Sequence, residues 1–318
     1  MNLRDAIQEA RMGKNCSLRC PAHEDHNPSL SVRPGRDGRV LVKCHSGCAT
    51  ELVLAAGGST WSDICAPKKS MAAPPYRPFV VRRADCPLDD ADRQAKRARW
   101  PEFETPTVRD LDRIASIRGL GRDGLELAVV RGILWVIPNY SGHRCWVVTD
   151  SARIAAQARR MDGLKFETNK GPTKSLTLPG SIASWPVGLA ELRDEHKSIL
   201  LTEGGPDLLA ACHFIVCEGR QRDAAAVGIL GAGCCFPASL VRRFARRLVR
   251  IAQHADDKGE EAAKRWQRQL RSHAERVDGI DFKGLRQHDG NPVKDLNDLA
   301  RIHADDFDKH RWIWNLLP

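Results

Sequence analysis

The chain has 318 residues, of which 42% are hydrophobic, so it can form two or three compact units and is not a disordered tail. Its 50 Lys and Arg outnumber its 40 Asp and Glu, and the resulting net charge of +10 suits a polyanionic partner. No apolar stretch is long enough to span a bilayer, and residues 1–5 lack a signal-peptide core, so we expect a cytoplasmic protein with no membrane partner.

Two pairs of metal-binding residue types flank a predicted hairpin near the start of the chain. Strands are predicted over residues 29–32 and 40–42, and the Pro- and Gly-rich turn between them brings the flanking pairs together. Three thiolates and an imidazole form a tetrahedral zinc ligand set. His45 lies beside Cys44 and remains an alternative to it. The candidate zinc ligands are Cys20, His23, Cys44 and Cys48.

The middle of the chain predicts a linker followed by a small α+β lobe. Residues 66–106 are rich in proline and charge, which is typical of a linker. Short helices beginning near Thr107 and Asp123, and strands over 133–138 and 144–148, follow it. Basic residues then crowd together, and as a set they suit a nucleic-acid track, because phosphate neutralisation dominates such binding. The candidates are Arg159, Arg160, Lys165 and Lys174, with Arg153 and Lys170 nearby.

Apolar runs at residues 199–201 and 248–252 predict two buried strands, each followed by acidic residues. The first run reaches Glu203, and a Gly-Gly-Pro turn then leads to Asp207, which is the predicted N-terminal cap of a helix over 208–212.

The second run leads into a segment that holds His254, and a helix is predicted to begin at residue 260. Because the carboxyl ends of parallel strands meet at one edge of an α/β sheet, the acidic residues that follow the strands can converge there on divalent cations. The candidate carboxylates are Glu203, Asp256, Asp257, Asp295 and Asp298.

The order of these acidic motifs resembles the Toprim domain over residues 197–304. The motifs are Glu203-Gly-x-x-Asp207, an acidic strand end closed by Gly259, and Lys-Asp295-x-Asn-Asp298. Primases, type IA topoisomerases, OLD-family nucleases and small RNA-processing proteins share this domain. The first segment resembles the CHC2-type zinc ribbon of bacterial and phage primases, with its Cys-Pro-x-His start and Pro-Ser-Leu strand. It departs from that pattern in having three residues between its second pair of cysteines.

The two resemblances together imply an α/β Toprim domain, with a parallel sheet flanked by helices, joined to a β zinc ribbon. The implied order is a zinc ribbon over 1–65, a linker over 66–106, a lobe similar to the N-terminal half of a primase core over 107–196, and the Toprim domain with a C-terminal tail over 197–318.

The implied function is a DNA primase that makes short RNA primers from ribonucleoside triphosphates on single-stranded DNA, for a bacterial, phage or plasmid genome. The zinc would be structural, and Mg²⁺ or Mn²⁺ would serve catalysis. Glu203 would be a metal ligand or the general base. Asp256 and Asp295 would hold metal, and Asp257 and Asp298 would be alternative ligands. A separate helicase is expected, since the sequence has no P-loop. A non-catalytic replication accessory and a Toprim nuclease are the alternatives.

His254 marks a departure from the Toprim pattern Asp-x-Asp-x-x-Gly. Counting back from Gly259, the second Asp falls on Asp256 and the first falls on His254. Magnesium prefers oxygen ligands, whereas manganese accepts imidazole more readily. Three outcomes are open: Asp257 takes over the position, His254 favours manganese, or catalysis is lost and the domain is kept for binding.

Overall fold

The computed structural model describes residues 2–35, 39–64, 89–231 and 233–302, together with residues 306, 310, 313 and 315–318. The tip of the predicted hairpin and most of the predicted linker therefore lie outside the described residues. The chain divides into two compact units, residues 1–76 and 77–318. No helix within the described ranges is both long enough and apolar enough to cross a lipid bilayer.

The first unit is a three-stranded antiparallel sheet packed against helices. The predicted hairpin is confirmed, and a further strand that the sequence did not predict pairs with its first strand. Its core is apolar and includes Leu3 and Ile7 from the first helix and Leu30 and Val32 from the central strand. The elements are α1 (Leu3–Arg11), β1 (Cys16–Leu18), β2 (Leu30–Pro34), β3 (Val40–Cys44), α2 (Thr50–Ala56) and α3 (Trp61–Ile64).

The second unit opens inside the region that the sequence assigned to a linker. Asp90 is the N-terminal cap of helix α4 (Ala91–Arg97), and its side chain accepts a hydrogen bond from the Arg93 amide. Arg97 donates to the Gly180 carbonyl at 3.0 Å, and Phe103 is buried. Residues 89–106 therefore pack onto the second unit. The sequence predicted a linker here because proline and charged residues dominate the segment, and its few aromatic residues, which supply this packing, carried little weight.

An antiparallel sheet follows two helices, as predicted, and both of its faces are buried. Alternate side chains point to opposite faces of a strand. Val136 and Trp146 join the main core, whereas Ile137 and Val147 join a separate cluster on the other face. The strands lie in the order β4-β5-β6-β7. The elements are α5 (Val108–Arg118), α6 (Arg122–Val130), β4 (Leu134–Tyr140), β5 (His143–Val148), β6 (Gln157–Arg160) and β7 (Leu176–Thr177).

A four-stranded parallel sheet, in the order β11-β10-β8-β9, forms the rest of the second unit. The main core joins it to the antiparallel sheet, since Trp146 and Leu200 belong to the same buried cluster. The parallel arrangement places the carboxyl ends of the strands at one edge, as the sequence predicted. The elements are β8 (Ser198–Glu203), α7 (Gly204–Cys217), β9 (Ala224–Ile229), α8 (Ala238–Val241), β10 (Leu248–Ala252), α9 (Asp257–Leu270), β11 (Arg276–Ile280) and α10 (Leu296–Leu299).

Two predicted helix starts are wrong. Helix α7 begins at Gly204 rather than residue 208, and Glu203 is its N-terminal cap residue instead of Asp207. Gly204 has φ +81°, which glycine adopts without strain, so the chain passes from strand to helix with no intervening loop. Asp207 consequently lies inside the helix and is buried. Helix α9 begins at Asp257, ahead of the predicted residue 260, because the side chain of Asp256 caps it.

Candidate functional site

The four predicted zinc ligands come together in the first unit. The ligand atoms of Cys20, His23, Cys44 and Cys48 all lie within 4.8 Å of one another. His23 Nδ1 is 3.2 Å from Cys48 Sγ and 4.0 Å from Cys44 Sγ. Tetrahedral zinc with bonds of about 2.0–2.3 Å separates its ligand atoms by roughly 3.5–3.8 Å. This cluster can therefore hold a zinc ion.

Hydrogen bonds to Asp25 and Cys44 favour metal binding by this cluster. The carboxylate of Asp25 accepts hydrogen bonds from the Ser29 hydroxyl and the Cys20 amide, which lower its pKa to about 2, and it lies 3.7 Å from His23 Nε2. Such a carboxylate orients a histidine ligand. Burial raises the pKa of Cys44, but hydrogen bonds from the Cys48 amide and the Ser29 hydroxyl outweigh this and lower it to about 6. Cys44 can therefore be a thiolate, the form that binds metal, at neutral pH.

His45, the alternative to Cys44, lies outside the cluster. Its Nε2 is 3.1 Å from the Ser31 hydroxyl, and it is not among the four residues whose ligand atoms converge. Successive residues on a strand point to opposite faces, so only one member of an adjacent Cys-His pair at the end of β3 can face the other ligands.

A second cluster lies at the carboxyl edge of the parallel sheet. Asp207, His254 and Asp295 place ligand atoms within 4.8 Å of one another. Asp207 comes from the first turns of α7, His254 follows β10, and Asp295 caps α10. His254 Nε2 lies 2.7 Å from Asp207 Oδ2, and His254 Nδ1 lies 3.9 Å from Glu203 Oε2. The imidazole thus sits between two carboxylates.

The electrostatics of this cluster favour a cationic His254. Burial alone lowers the pKa of His254, but the hydrogen bond and charge of Asp207, followed by the charges of Glu203 and Asp295, raise it to about 9. Burial raises the pKa of Asp207 and of Asp295. In the absence of metal the cluster therefore holds an imidazolium among carboxylates.

The oxygen donors of Glu203, Asp207 and Asp295 fit a hard divalent cation, but the protonated nitrogen of His254 does not. Carboxylates are the side-chain ligands that Mg²⁺ prefers. Imidazole ligates only when neutral, so a cation bound here must release the proton of His254 or displace the ring from Asp207.

The other predicted acidic residues lie around this cluster. Asp256 is exposed, and its carboxylate accepts a hydrogen bond from the Gly259 amide at 2.7 Å. Asp257 is exposed in the first turn of α9. Asp298 is half-buried, accepts a hydrogen bond from the Lys294 amide, and donates its own amide to Asp295. Their predicted metal-binding roles stay predictions.

The adjacent basic residues Arg159 and Arg160 point to opposite faces of β6. Arg159 pairs with Trp146 across the strands, and its guanidinium carbon lies 5.9 Å from the Trp146 ring centre. Arg160 faces the other way, forming an ion pair with Asp162 and donating to the Lys165 carbonyl at 2.9 Å. Only Arg159 therefore lies on the face that carries the main core.

Arg159 and Arg118 face the acidic cluster together. The guanidinium carbon of Arg118 lies 5.4 Å from the same Trp146 ring. Burial and the neighbouring Arg118 lower the pKa of Arg159 to about 10, whereas Asp207 and Asp295 counteract them. The Nε atoms of both arginines are buried and have no hydrogen-bond partner among the described residues. The site therefore combines carboxylates with two guanidinium groups.

No family model matches the chain, and no curated protein matches it. The solved structures that it resembles include DNA primase domains. The primase fragment of the bacteriophage T7 primase-helicase protein is 15% identical, with a TM-score of 0.40, over 92% of this chain and 96% of that one. The Aquifex aeolicus primase, with zinc-binding and RNA polymerase domains, is 16% identical, with a TM-score of 0.40, over 98% and 85%. The DnaG catalytic core is 16% identical, with a TM-score of 0.39, over 74% and 79%.

Two residues of the site, one in the acidic cluster and one facing it, were not predicted in these roles. Asp207 matched the Toprim motif, but we assigned it to a helix cap rather than to the site. Arg118 is the last residue of α5, and nothing in the local sequence distinguishes it from the other arginines. Lys165 and Lys174 are exposed, as a nucleic-acid contact requires, and their predicted role stays a prediction.

Proposed function

We propose that this chain is a metal-dependent nucleotidyltransferase of the primase type, which synthesises short RNA primers on single-stranded DNA. The observation that carries the proposal is the cluster of Asp207, His254 and Asp295 at the carboxyl edge of the parallel sheet, with Glu203 beside His254 and with Arg118 and Arg159 facing it. A bound divalent cation would neutralise a triphosphate and activate an attacking 3′-hydroxyl. Guanidinium groups bind phosphate through several N–H donors at once.

Each residue of the cluster has a distinct proposed role. Asp207 and Asp295 hold the cation, since their oxygens converge and both are largely shielded from water. Glu203 is a further ligand or the general base toward the 3′-hydroxyl, because it ends the central strand β8 beside the cluster. Arg118 and Arg159 bind the triphosphate. Asp256, Asp257 and Asp298 support a second cation at the rim.

The remaining predicted features complete the proposal. The first unit holds structural zinc and contacts the template, and Arg160, Lys165 and Lys174 contact phosphates of the strand. Ribonucleoside triphosphates are the second substrate, and a replicative helicase would be supplied by a separate chain.

A specific observation favours a second candidate, a non-catalytic protein that binds single-stranded DNA during replication. His254 Nε2 lies 2.7 Å from Asp207 Oδ2, so an imidazolium already occupies part of the space that a cation needs. If the metal cannot displace this ring, the cluster is structural and only the binding function remains.

One assay separates these candidates. The full chain is incubated with single-stranded DNA and labelled ribonucleotides, in Mg²⁺ and separately in Mn²⁺, and labelled products are resolved beside a strand-cleavage control. A ladder of short RNA products supports the primase. Template binding with no product in either metal supports the accessory protein, and cleavage of the template supports a nuclease.

A further inference from the structure

The turn after β5 holds an arginine against aromatic rings. The guanidinium carbon of Arg153 lies 4.8 Å from the centre of the Phe103 ring and 5.6 Å from the Trp135 ring. Trp100 extends this group, since its ring centre lies 5.9 Å from that of Phe103 with only 22° between the two planes. We call Trp100, Phe103, Trp135 and Arg153 the aromatic–arginine surface.

This surface lies on the opposite face of the antiparallel sheet from Arg159. Phe103 and Trp135 pack with the separate cluster that covers one face, whereas Trp146, which carries Arg118 and Arg159, belongs to the main core on the other face. The aromatic–arginine surface is therefore distinct from the acidic cluster.

Arg153 holds its position at the cost of backbone strain. Its backbone has φ +50°, a left-handed conformation in which a side chain other than glycine is strained. Arg153 is exposed, and its guanidinium makes no hydrogen bond or ion pair within the described part of the chain. The guanidinium lies close to both aromatic rings, and the exposed side chain can still be reached by a ligand.

The chemistry of the surface matches an unpaired nucleotide. Flat aromatic and guanidinium planes stack on bases of any sequence, and the guanidinium charge attracts the neighbouring phosphate. Exposed Arg99 precedes Trp100 in the chain and adds a second positive charge. The protein has a net charge of +10, which favours an anionic ligand. Together with the flat aromatic and guanidinium groups, this charge favours a nucleic-acid strand over an acidic or apolar protein partner.

We propose that the aromatic–arginine surface is a binding site for single-stranded DNA, on which a base stacks against Arg153. The inference rests on the proposed function only in taking a single DNA strand as the ligand. The binding assay contains neither ribonucleotides nor divalent cations, so its failure is distinguishable from a failure of primer synthesis.

The chain offers a matched control for Arg153. Arg246 is also exposed and also has a left-handed backbone, with φ +59°, but it stacks on no aromatic ring among the described residues. Replacement of either arginine by glycine removes one charge and relieves the same backbone strain. Arg153→Gly also loses the contacts with Phe103 and Trp135, and the relief of strain offsets this loss. Both variants should therefore stay folded, which thermal unfolding checks.

Binding of a fluorescent oligothymidylate is measured by anisotropy for the wild type, Arg153→Gly, Arg153→Lys and Arg246→Gly, together with a strand of the same length that lacks bases. We expect Arg153→Gly to weaken binding of oligothymidylate by about tenfold, within the range for loss of one stacked base. Arg246→Gly should change it less than about twofold. Arg153→Lys keeps the charge but not the plane, so it should restore the salt dependence without restoring the affinity.

The abasic strand decides whether a base is stacked. Wild type and Arg153→Lys should bind it equally well, because stacking is absent from both complexes. Equal effects of Arg153→Gly and Arg246→Gly on oligothymidylate would overturn the proposal. So would an unchanged affinity in Arg153→Gly, which would leave the surface to a protein partner, or full recovery of affinity in Arg153→Lys, which would make Arg153 a simple phosphate contact.

Discussion

The two candidate metal centres are assembled in different ways. The cysteine–histidine cluster draws its ligands from one short segment around a hairpin, between Cys20 and Cys48. The acidic cluster draws its ligands from three separate segments between Asp207 and Asp295, which the parallel sheet brings together. Local spacing is sufficient to specify the first, whereas the second depends on strand order and helix starts.

The clusters also differ in what balances their charge. The cluster of the first unit consists of three cysteines and a histidine, so a bound metal would supply the positive charge itself. In the acidic cluster His254 already supplies a positive charge, 2.7 Å from Asp207. In the acidic cluster a metal ion must therefore compete with this internal cation for the same donors, whereas in the first cluster it need not.

The largest expected effect tests the first cluster. Cys20→Ser and Cys44→Ser should each lose bound zinc and unfold the first unit, because structural zinc contributes about 10–16 kcal/mol to small domains of this kind. Elemental analysis and circular dichroism measure the two effects. Cys16→Ser, which changes a cysteine of β1 outside the cluster, is the control and should keep its zinc. Full zinc retention in both cluster variants would disprove the ligand set.

The next effect tests catalysis at the acidic cluster. Glu203→Gln should lower primer synthesis by roughly a hundredfold or more, because it removes a metal ligand or general base. Binding of single-stranded DNA should change little, since the basic residues that contact phosphate are intact. Primer yield and anisotropy give the two readouts. Glu260→Gln makes the same change at a partly exposed glutamate of α9 and should preserve both. Wild-type primer synthesis in Glu203→Gln would remove Glu203 from the mechanism.

The next prediction concerns the effect of burial on the pKa of a carboxylate, Asp150, that has no imidazolium beside it. Asp150 accepts hydrogen bonds from Trp185 Nε1 and the Gly188 amide, but burial dominates and raises its pKa to about 7. Between pH 4 and 7 the folded state therefore binds more protons than the unfolded state, and stability falls as pH rises. Asp150→Asn removes this titration. Its stability relative to wild type should rise by about 2 kcal/mol between pH 5 and pH 8, as measured by urea unfolding.

The control for this pH effect is Asp110. A bidentate hydrogen bond from Arg144 lowers the pKa of Asp110 to about 2, so its contribution to stability is present above pH 4 and lost only below it. Asp110→Asn should destabilise the protein equally at pH 5 and pH 8. A flat profile for Asp150→Asn would show that Asp150 is ionised throughout this range.

The smallest effect tests the difference between the two clusters directly. His254→Asp removes the internal cation and adds an oxygen ligand, so primer synthesis in Mg²⁺ should rise several-fold, whereas the wild type should work better in Mn²⁺ than in Mg²⁺. Initial rates in each metal measure this. His254→Asn supplies a neutral oxygen donor and should give a smaller gain. If wild type works well in Mg²⁺ and His254→Asp gains nothing, Asp256 and Asp257 form the site instead.

The sequence predicted the elements of the second unit better than their ends. The buried strands at 199–201 and 248–252 lie inside β8 and β10, because apolar runs followed by turns specify strands locally. The starts of α7 and α9 were predicted too late, because Gly204 and the Asp256 cap let each helix begin close behind its strand. That error assigned Asp207 to a cap and left it out of the site.

Local sequence determined the candidate zinc ligand set, the hairpin that brings its pairs together, and the acidic residues that follow β8 and β10, because each depends on spacing within a few residues. Only the tertiary structure decided that Asp207 and Asp295 meet at His254, that Arg118 joins Arg159 on one face of the antiparallel sheet, and that Arg153 stacks on the other. The physical reason is that strand order and the alternation of side chains across a paired sheet bring together residues that are distant in the chain and separate residues that are adjacent in it.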